Sequence, residues 1–347
     1  MAIGFGIVGC GMIARFHARA IAEVRGARLI GCYNRSPAGA EALAQEFGCQ
    51  TYGALAGLLA DPHIHVICVT TPSGAHADAA IAAARAGKHV VVEKPLEVTL
   101  RRCDAIIAAC RENRVLLSAI FQSRYQSAAQ RLKQAIAAGR FGRLTLADAA
   151  VKWFRTQAYY DQGAWRGTWK LDGGGALMNQ AIHSVDLLVW LAGDVAELVA
   201  HTATLAHERI EVEDCATASL RFRNGALGTI VASTAAYPGS LKRIAIHGSH
   251  GSAILEEDRL VQWDFAKSLP VDRTVRAELS QPARSGGGAA DPKAIHHAGH
   301  AAQIREMVQA IRNGSPLRID GAEARRSVAV ILAAYRSART GRCVKLE

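Results

Sequence analysis

Ile3-Gly4-Phe5-Gly6-Ile7-Val8-Gly9-Cys10-Gly11-Met12-Ile13-Ala14 is the stretch on which the fold turns. Its first six residues, apolar or small, read as a buried strand, and a helix is expected after the glycines, through His17 to Val24. The spacing Gly9-x-Gly11-x-x-Ala14 has a mechanical meaning between a strand and a helix. Gly9 permits a tight turn, Gly11 lets backbone approach a pyrophosphate, and Ala14 allows close helix–strand packing. The helix would then face phosphates with free N–H groups and the positive end of its dipole. Gly9, Gly11, Met12 and Ile13 are therefore candidate dinucleotide-binding residues.

Outward from this turn, strand and helix signals alternate. Strands are expected at Arg28 to Tyr33, Val66 to Thr70, His89 to Glu93 and Val115 to Ala119. Between them, Ser36-Pro37 starts a helix that Gly48 ends, His76 to Ala86 is helical up to Gly87, and Thr99 caps a helix stopped by Asn113. That order predicts a Rossmann-type, doubly wound parallel sheet over residues 1–120. The end of its second strand should meet the adenosine ribose. Asn34-Arg35-Ser36 offers no carboxylate for a 2′-hydroxyl and one Arg for a 2′-phosphate, which favours NADP over NAD. Arg35 would equally suit a solvated loop, or stack on the adenine of either cofactor.

Residues 121–347 read differently, as an α+β domain with a large, open, mostly antiparallel sheet. Leu144 to Phe154 is a long strand, and Cys215 to Phe222 pairs with Ala226 to Thr234 across Asn224-Gly225. Further strands are expected at Leu241 to His247 and Ser252 to Glu256. One face of such a sheet takes helices and the other needs a cover.

Two further stretches are more specific. Residues 88–96 read Lys-His-Val-Val-Val-Glu-Lys-Pro-Leu, and residues 173–186 read Gly-Gly-Gly-Ala-Leu-Met-Asn-Gln-Ala-Ile-His-Ser-Val-Asp. Together with the glycine turn and with Thr71-Pro72 followed by His76, the chain closely resembles the Gfo/Idh/MocA oxidoreductases, over almost its whole length. The resemblance implies a nicotinamide-dependent reaction on a secondary alcohol or ketone of a sugar, cyclitol or sugar derivative. It implies that Lys94 stands beside the nicotinamide and the substrate hydroxyl, and that His183 transfers the proton. The chemistry is sound on its own terms. An imidazole exchanges protons near neutral pH, and an ammonium stabilises developing alkoxide charge.

The same resemblance adds Thr71, Pro72, His76, Glu93, Gln122, Trp165 and Arg166 to the cofactor side. Arg124, Tyr125, Lys152, Arg155, Tyr160 and Gln180 are candidates for the substrate side, although each also has an ordinary surface or packing reading. Asn179, four residues before His183, stands where many members carry aspartate; an amide cannot titrate but can hold a sugar hydroxyl. Helical spacing lets Asn179, His183 and Asp186 share one face, where Asp186 either orients the imidazole or raises its pKa, or else forms a helix-surface salt bridge. Asn179-Gln180 and residues 121–125 resemble, more loosely, the sugar-nucleotide 3-dehydrogenases. In the family the open sheet meets its copy, so a homodimer or homotetramer is expected.

Composition bounds the alternatives. The formal charge of +11 is spread without a basic cluster, which argues against nucleic acid and suits an anionic ligand. Eight cysteines without paired close spacing read as reduced thiols of a cytoplasmic protein. The first strand follows no basic segment, so it is not read as a signal peptide, and no membrane partner is expected. His296, His297 and His300 lack a completing ligand in a recognised spacing, so no metal is expected. The glycine-rich stretch Ser285 to Ala290 reads as a loop, one that would suit a cover over substrate. The rival reading is a silent NAD(P)-binding sensor or transcriptional co-regulator of the same fold, against which the retention of both Lys94 and His183 argues.

Overall fold

The computed structural model describes residues 2–279 and 297–346; the stretch Ser285 to Ala290 and His296 lie outside them. The chain divides into two compact units. The first comprises Met1–Gln122, Lys170–Gly173 and His296–Val328, and the second Ser123–Trp169, Gly174–Ile295 and Ala329–Glu347.

The first unit opens with β1 (Ile3–Val8), α1 (Met12–Glu23), β2 (Ala27–Tyr33), α2 (Pro37–Phe47), β3 (Gln50–Thr51), α3 (Leu55–Ala60), β4 (Val66–Val69), α4 (His76–Arg85), β5 (His89–Val92), α5 (Leu100–Glu112) and β6 (Leu117–Ala119). Its six strands pair in parallel in the order β3-β2-β1-β4-β5-β6. This is the doubly wound sheet expected from the alternation. Phe5, Ile7, Val66, Cys68 and Val91 are buried in its centre, as strands covered on both faces must be. Thr99 caps α5 by accepting from Arg102 N, whereas Ser36 holds the N-cap position of α2 without a capping bond from its hydroxyl. Asn113 ends α5 through its side chain, whose Nδ2 donates to Ala109 O at 2.8 Å. The left-handed turn then falls on Arg114 (φ 56°), which is why β6 begins at Leu117 and not at Val115.

The second unit contains α6 (Ser127–Ala137), β7 (Leu144–Lys152), α7 (Gln157–Asp161), α8 (Ile182–Ala192), β8 (Val195–Ala203), β9 (Cys215–Phe222), β10 (Leu227–Ser233), β11 (Arg243–Gly248), β12 (Gly251–Glu256), β13 (Arg259–Phe265) and α9 (Val271–Leu279). After α10 (Ala298–Asn313), which belongs to the first unit, α11 (Gly321–Thr340) runs from the first unit into the second, where β14 (Val344–Lys345) closes the chain's last strand pairing. The eight-stranded order is β13-β12-β11-β7-β10-β9-β8-β14, antiparallel except between β7 and β10. Along β7, Ala147, Ala149 and Val151 are buried while Leu146 is 43% exposed. The expected β9–β10 hairpin forms across Asn224-Gly225. Strand β8 was not legible, because Val-Ala-Glu-Leu-Val-Ala carries helix-forming residues that pairing to β9 overrides; β13, which pairs with β12, was not expected either.

Helix α10 packs on α1 in the first unit, burying Ile304, Met307 and Val308 with Ala14, Ala18 and Ile21. At the turn that starts α1, Gly9 has φ +95°, and a Cβ there would lie 2.8 Å from backbone atoms of Thr70 and Thr71. Gly48 shares the left-handed conformation (φ +64°) but has open space around it. Gly9→Ala is therefore expected to cost about 3 kcal/mol in urea unfolding, and Gly48→Ala about 1 kcal/mol. Equal losses would contradict the crowding at Gly9.

Candidate active site

In the first unit, the loop after β1 is held from two sides. The Thr70 hydroxyl donates to Val8 O at 3.1 Å and to Gly9 O at 2.6 Å. Asn34 Oδ1 accepts from Cys10 N at 3.1 Å while its Nδ2 donates to Ser36 O at 2.9 Å. Asn34 thus braces the glycine turn, and exposed Arg35 beside it carries the charge at the end of β2. Helix α1 has Gly11 as its N-cap, no side-chain capping bond and no acidic residue in its first turn. Its leading N–H groups are left for a ligand, and a Cβ built on Gly11 meets nothing within 4 Å. An open backbone approach at a positive helix end is what a pyrophosphate requires. Met12 is 43% exposed and Ile13 half-buried at the same end. Gln122 Oε1 is buried without a partner among the described residues, an acceptor left for a ligand's N–H or O–H. The residues fit a dinucleotide.

Thr71, Pro72 and Lys94 are half-buried near the ends of β4 and β5. Two residues that the resemblance set at the cofactor are engaged elsewhere. His76 is buried, its Nδ1 2.8 Å from Pro95 O and its Nε2 2.9 Å from Thr71 O, so it ties these two loops together. Burial lowers its pKa. Glu93 is buried too. Its Oε1 accepts from His17 Nε2 at 2.7 Å and His300 Nε2 at 3.3 Å, and its Oε2 from Lys94 N at 3.1 Å. Burial pushes the Glu93 carboxyl up, but the hydrogen bonds from His17 and His300 outweigh it and hold the pKa well below the usual carboxylate value. His17 and His300 were not foreseen as partners of Glu93. Their separation in sequence hid them, and His300 was weighed only for metal.

In the second unit, Asn179 and Gln180 lie in a π-helical turn, Ala176–Ala181, that leads into α8. Asn179 lies in the π-turn and His183 just beyond it in α8, and these two are the half-buried positions of the otherwise buried run 172–189. Half-buried His183 stands in the first turn of α8. Gln180 Nε2 donates to Asn179 Oδ1 and to Tyr159 Oη, both at 2.9 Å, while its Oε1 accepts from Arg155 Nη2 at 3.1 Å. Arg155 is buried and lies over the Trp153 and Tyr159 rings. Half-buried Arg166 stacks on Tyr159 and Trp165. Tyr159 thus joins the two arginines.

Other candidates have structural work. Arg124 is buried and grips Asp186 with two bonds of 2.7 Å, so it supports α8 from within; Asp186 forms an ion pair, buried and not on the helix surface. Tyr160 is buried with its hydroxyl 2.8 Å from Thr234 Oγ1. Tyr125 is half-buried in the short helical turn Gln122–Tyr125, and Lys152 is exposed at the end of β7.

The start of the π-turn has its own anchor, which nothing in the sequence signalled. Glu213 accepts from Gly175 N (3.0 Å), Leu177 N (2.8 Å) and Tyr335 Oη (2.9 Å). The Tyr335 hydroxyl oxygen accepts in turn from Met178 N at 3.3 Å. Burial raises the Glu213 carboxyl to about 7, more than these bonds lower it. An acid whose folded pKa exceeds its unfolded value of 4.5 binds more protons in the native state, so its contribution falls as pH rises between the two values. Wild type is expected to lose stability against Glu213→Gln from about pH 4.5 to 7, at no more than about 1.4 kcal/mol per pH unit. Parallel urea melts check this, and a difference that does not change with pH would contradict it.

The chain's likenesses agree with this arrangement. Residues 3–121 match the oxidoreductase family with an NAD-binding Rossmann fold, and residues 129–254 match the GFO/IDH/MocA C-terminal domain. The 1,5-anhydro-D-fructose reductase of Ensifer adhaerens is 31% identical over 259 residues, covering 72% of this chain and 74% of that protein. The inositol 2-dehydrogenase of Rhizobium meliloti (strain 1021) is 27% identical over 270 residues, covering 77% of this chain and 79% of that protein. Among solved structures, the WlbA dehydrogenase from Bordetella pertussis, in complex with NADH and UDP-GlcNAcA, is 36% identical with a TM-score of 0.91, covering 100% of this chain and 98% of that one. With a Rossmann domain and a C-terminal domain that both match, this chain belongs to the GFO/IDH/MocA oxidoreductase family.

Proposed function

We propose that the protein is an NAD(P)-dependent dehydrogenase or reductase acting on a secondary alcohol or ketone of a sugar, cyclitol or sugar derivative. The observation that carries this reading is the uncapped N-terminus of α1 beside Gly11, where backbone N–H groups and open space meet. When bound, the nicotinamide supplies the hydride acceptor or donor. Glycine turn and helix dipole hold the pyrophosphate. Lys94 stabilises negative charge on the substrate oxygen, His183 exchanges its proton, and the Asn179–Gln180 amides, braced by Arg155 and Tyr159, orient hydroxyls. Trp165, Arg166, Thr71, Pro72 and Gln122 complete the cofactor side.

Arg35 and the lack of a carboxylate at the end of β2 favour NADPH over NADH. A nucleotide-linked sugar is the substrate class we favour, in line with the UDP-GlcNAcA held by the WlbA dehydrogenases of Bordetella pertussis and Chromobacterium violaceum, 36% and 34% identical. The outer face of the eight-stranded sheet, where Leu146, Val199 and Leu227 are each at least 40% exposed, supports pairing of two copies into a dimer or tetramer.

Lys94→Ala and His183→Ala are each expected to lower turnover by about 100-fold, with dinucleotide affinity changed by less than about threefold. Near-normal turnover in both would sink the mechanism. Gly11→Ala, which meets no protein atom, should leave the melting temperature unchanged and weaken dinucleotide binding by about 10-fold or more. Unchanged binding, measured by reduced-nicotinamide fluorescence, would argue against a pyrophosphate at this turn.

A further inference from the structure

We infer that His17 and His300 are positioning residues that fix the backbone of Lys94 by clamping the Glu93 carboxylate between them. All four residues belong to the first unit. His17 comes from α1, His300 from α10, and Glu93-Lys94 directly follow β5. Both imidazoles reach the same oxygen, Oε1, which leaves Oε2 to take the Lys94 N–H at 3.1 Å. The rings also brace each other, edge to face at 5.4 Å. A strand end carrying a functional lysine is thereby tied to two helices that pack on each other through apolar side chains and an ion pair between Glu23 and His297 at 2.6 Å.

The protonation pattern follows from the orphaned atoms. Nδ1 of His17 and of His300 is buried without a partner among the described residues. An imidazolium would leave a donor N–H unsatisfied at each of those atoms, a costly state, whereas a neutral ring with its proton on Nε2 leaves only a lone pair there. The geometry thus favours the Nε2–H tautomer on both rings, each donating to the carboxylate. Burial lowers the pKa of His17, which fits this pattern.

The same three side chains, two imidazoles and a carboxylate, could be read as metal ligands, their donor atoms lying within 4.8 Å of one another. Two observations decide against it. Ligands about 2.0–2.1 Å from one tetrahedral ion stand roughly 3.3 Å apart, and the 2.7 Å between His17 Nε2 and Glu93 Oε1 is a hydrogen-bond length. A metal-bound histidine also normally donates its other ring N–H to an acceptor, and neither ring has one among the described residues.

The inference rests on Lys94 acting in the proposed reaction, so the test has one readout that does not. Amide hydrogen exchange at Lys94 is followed together with steady-state kinetics in His300→Phe, which keeps an aromatic ring but removes the donor, and in His300→Gln, which restores a donor. The Phe variant is expected to exchange at Lys94 about 10-fold faster or more. Its kcat should drop about 10- to 100-fold, with the dinucleotide KM within about threefold of wild type, and the Gln variant should recover most of both losses. Wild-type exchange and kcat in the Phe variant would overturn the inference, and so would equal losses in both variants. Should the Phe variant not fold, Glu93→Gln is measured the same way, since its amide must forfeit one acceptor of the clamp. If Lys94→Ala keeps full turnover, the proposed reaction fails, while the exchange result still decides the clamp. Zinc that raises the melting temperature of wild type but not of His300→Phe would replace the clamp by a metal site.

Discussion

The close approach of the Gly9 backbone to Thr70 and Thr71 is the constraint on which the first unit depends. β1 pairs in parallel with β2 on one side and with β4 on the other, so its carboxyl end lies where the winding of the sheet reverses. At such a point the helices leave in opposite directions and a crevice opens beyond the strand ends. The turn must leave β1 tightly enough to start α1 at once, and a side chain at Gly9 would strike the backbone after β4. Crowding at Gly9 and open space at Gly11 are two halves of one design. The first sets the direction of the helix, and the second leaves its positive end accessible.

Two buried carboxylates show how surroundings, and not residue type, decide charge. Glu93 and Glu213 each take three donors, yet the pKa of one is held well below the usual value and that of the other rises to about 7. Two of the donors to Glu93 are imidazole N–H groups that converge on a single oxygen. Glu213 receives two backbone N–H groups and a tyrosine hydroxyl, and these do not outweigh its burial. Each carboxylate nonetheless does a comparable job. Glu93 holds the peptide of Lys94, and Glu213 holds the start of the turn that carries Asn179 and Gln180.

Local signals told most of the first unit and rather less of the site. Strand–turn–helix at residues 3–14, the Thr99 cap and the Gly48 stop are written within a few residues, and each lies where local chemistry puts it. The Cys215–Phe222 hairpin is likewise announced by Asn224-Gly225. β8 takes up extended backbone between β9 and the distant β14, while β13 does so against its neighbour β12, across a turn without a glycine signal. Short motifs singled out the glycine turn, Lys94, Asn179 and His183 as candidates, but gave no view of which polar atoms were already spent. Arg124 on Asp186, Tyr160 on Thr234, His76 between two carbonyls and Glu93 between two histidines are pairings over long distances in sequence or with backbone. The π-turn at Ala176–Ala181 was invisible for a related reason, since the carboxylate that caps it is Glu213.

The most direct check is a titration of the purified protein with NADPH and NADH, followed by reduced-nicotinamide fluorescence, after any co-purified dinucleotide has been removed. The account predicts saturable binding of both, NADPH the tighter because of Arg35. Binding of neither would contradict it at the root, because the open helix end beside Gly11 would then have no dinucleotide to hold.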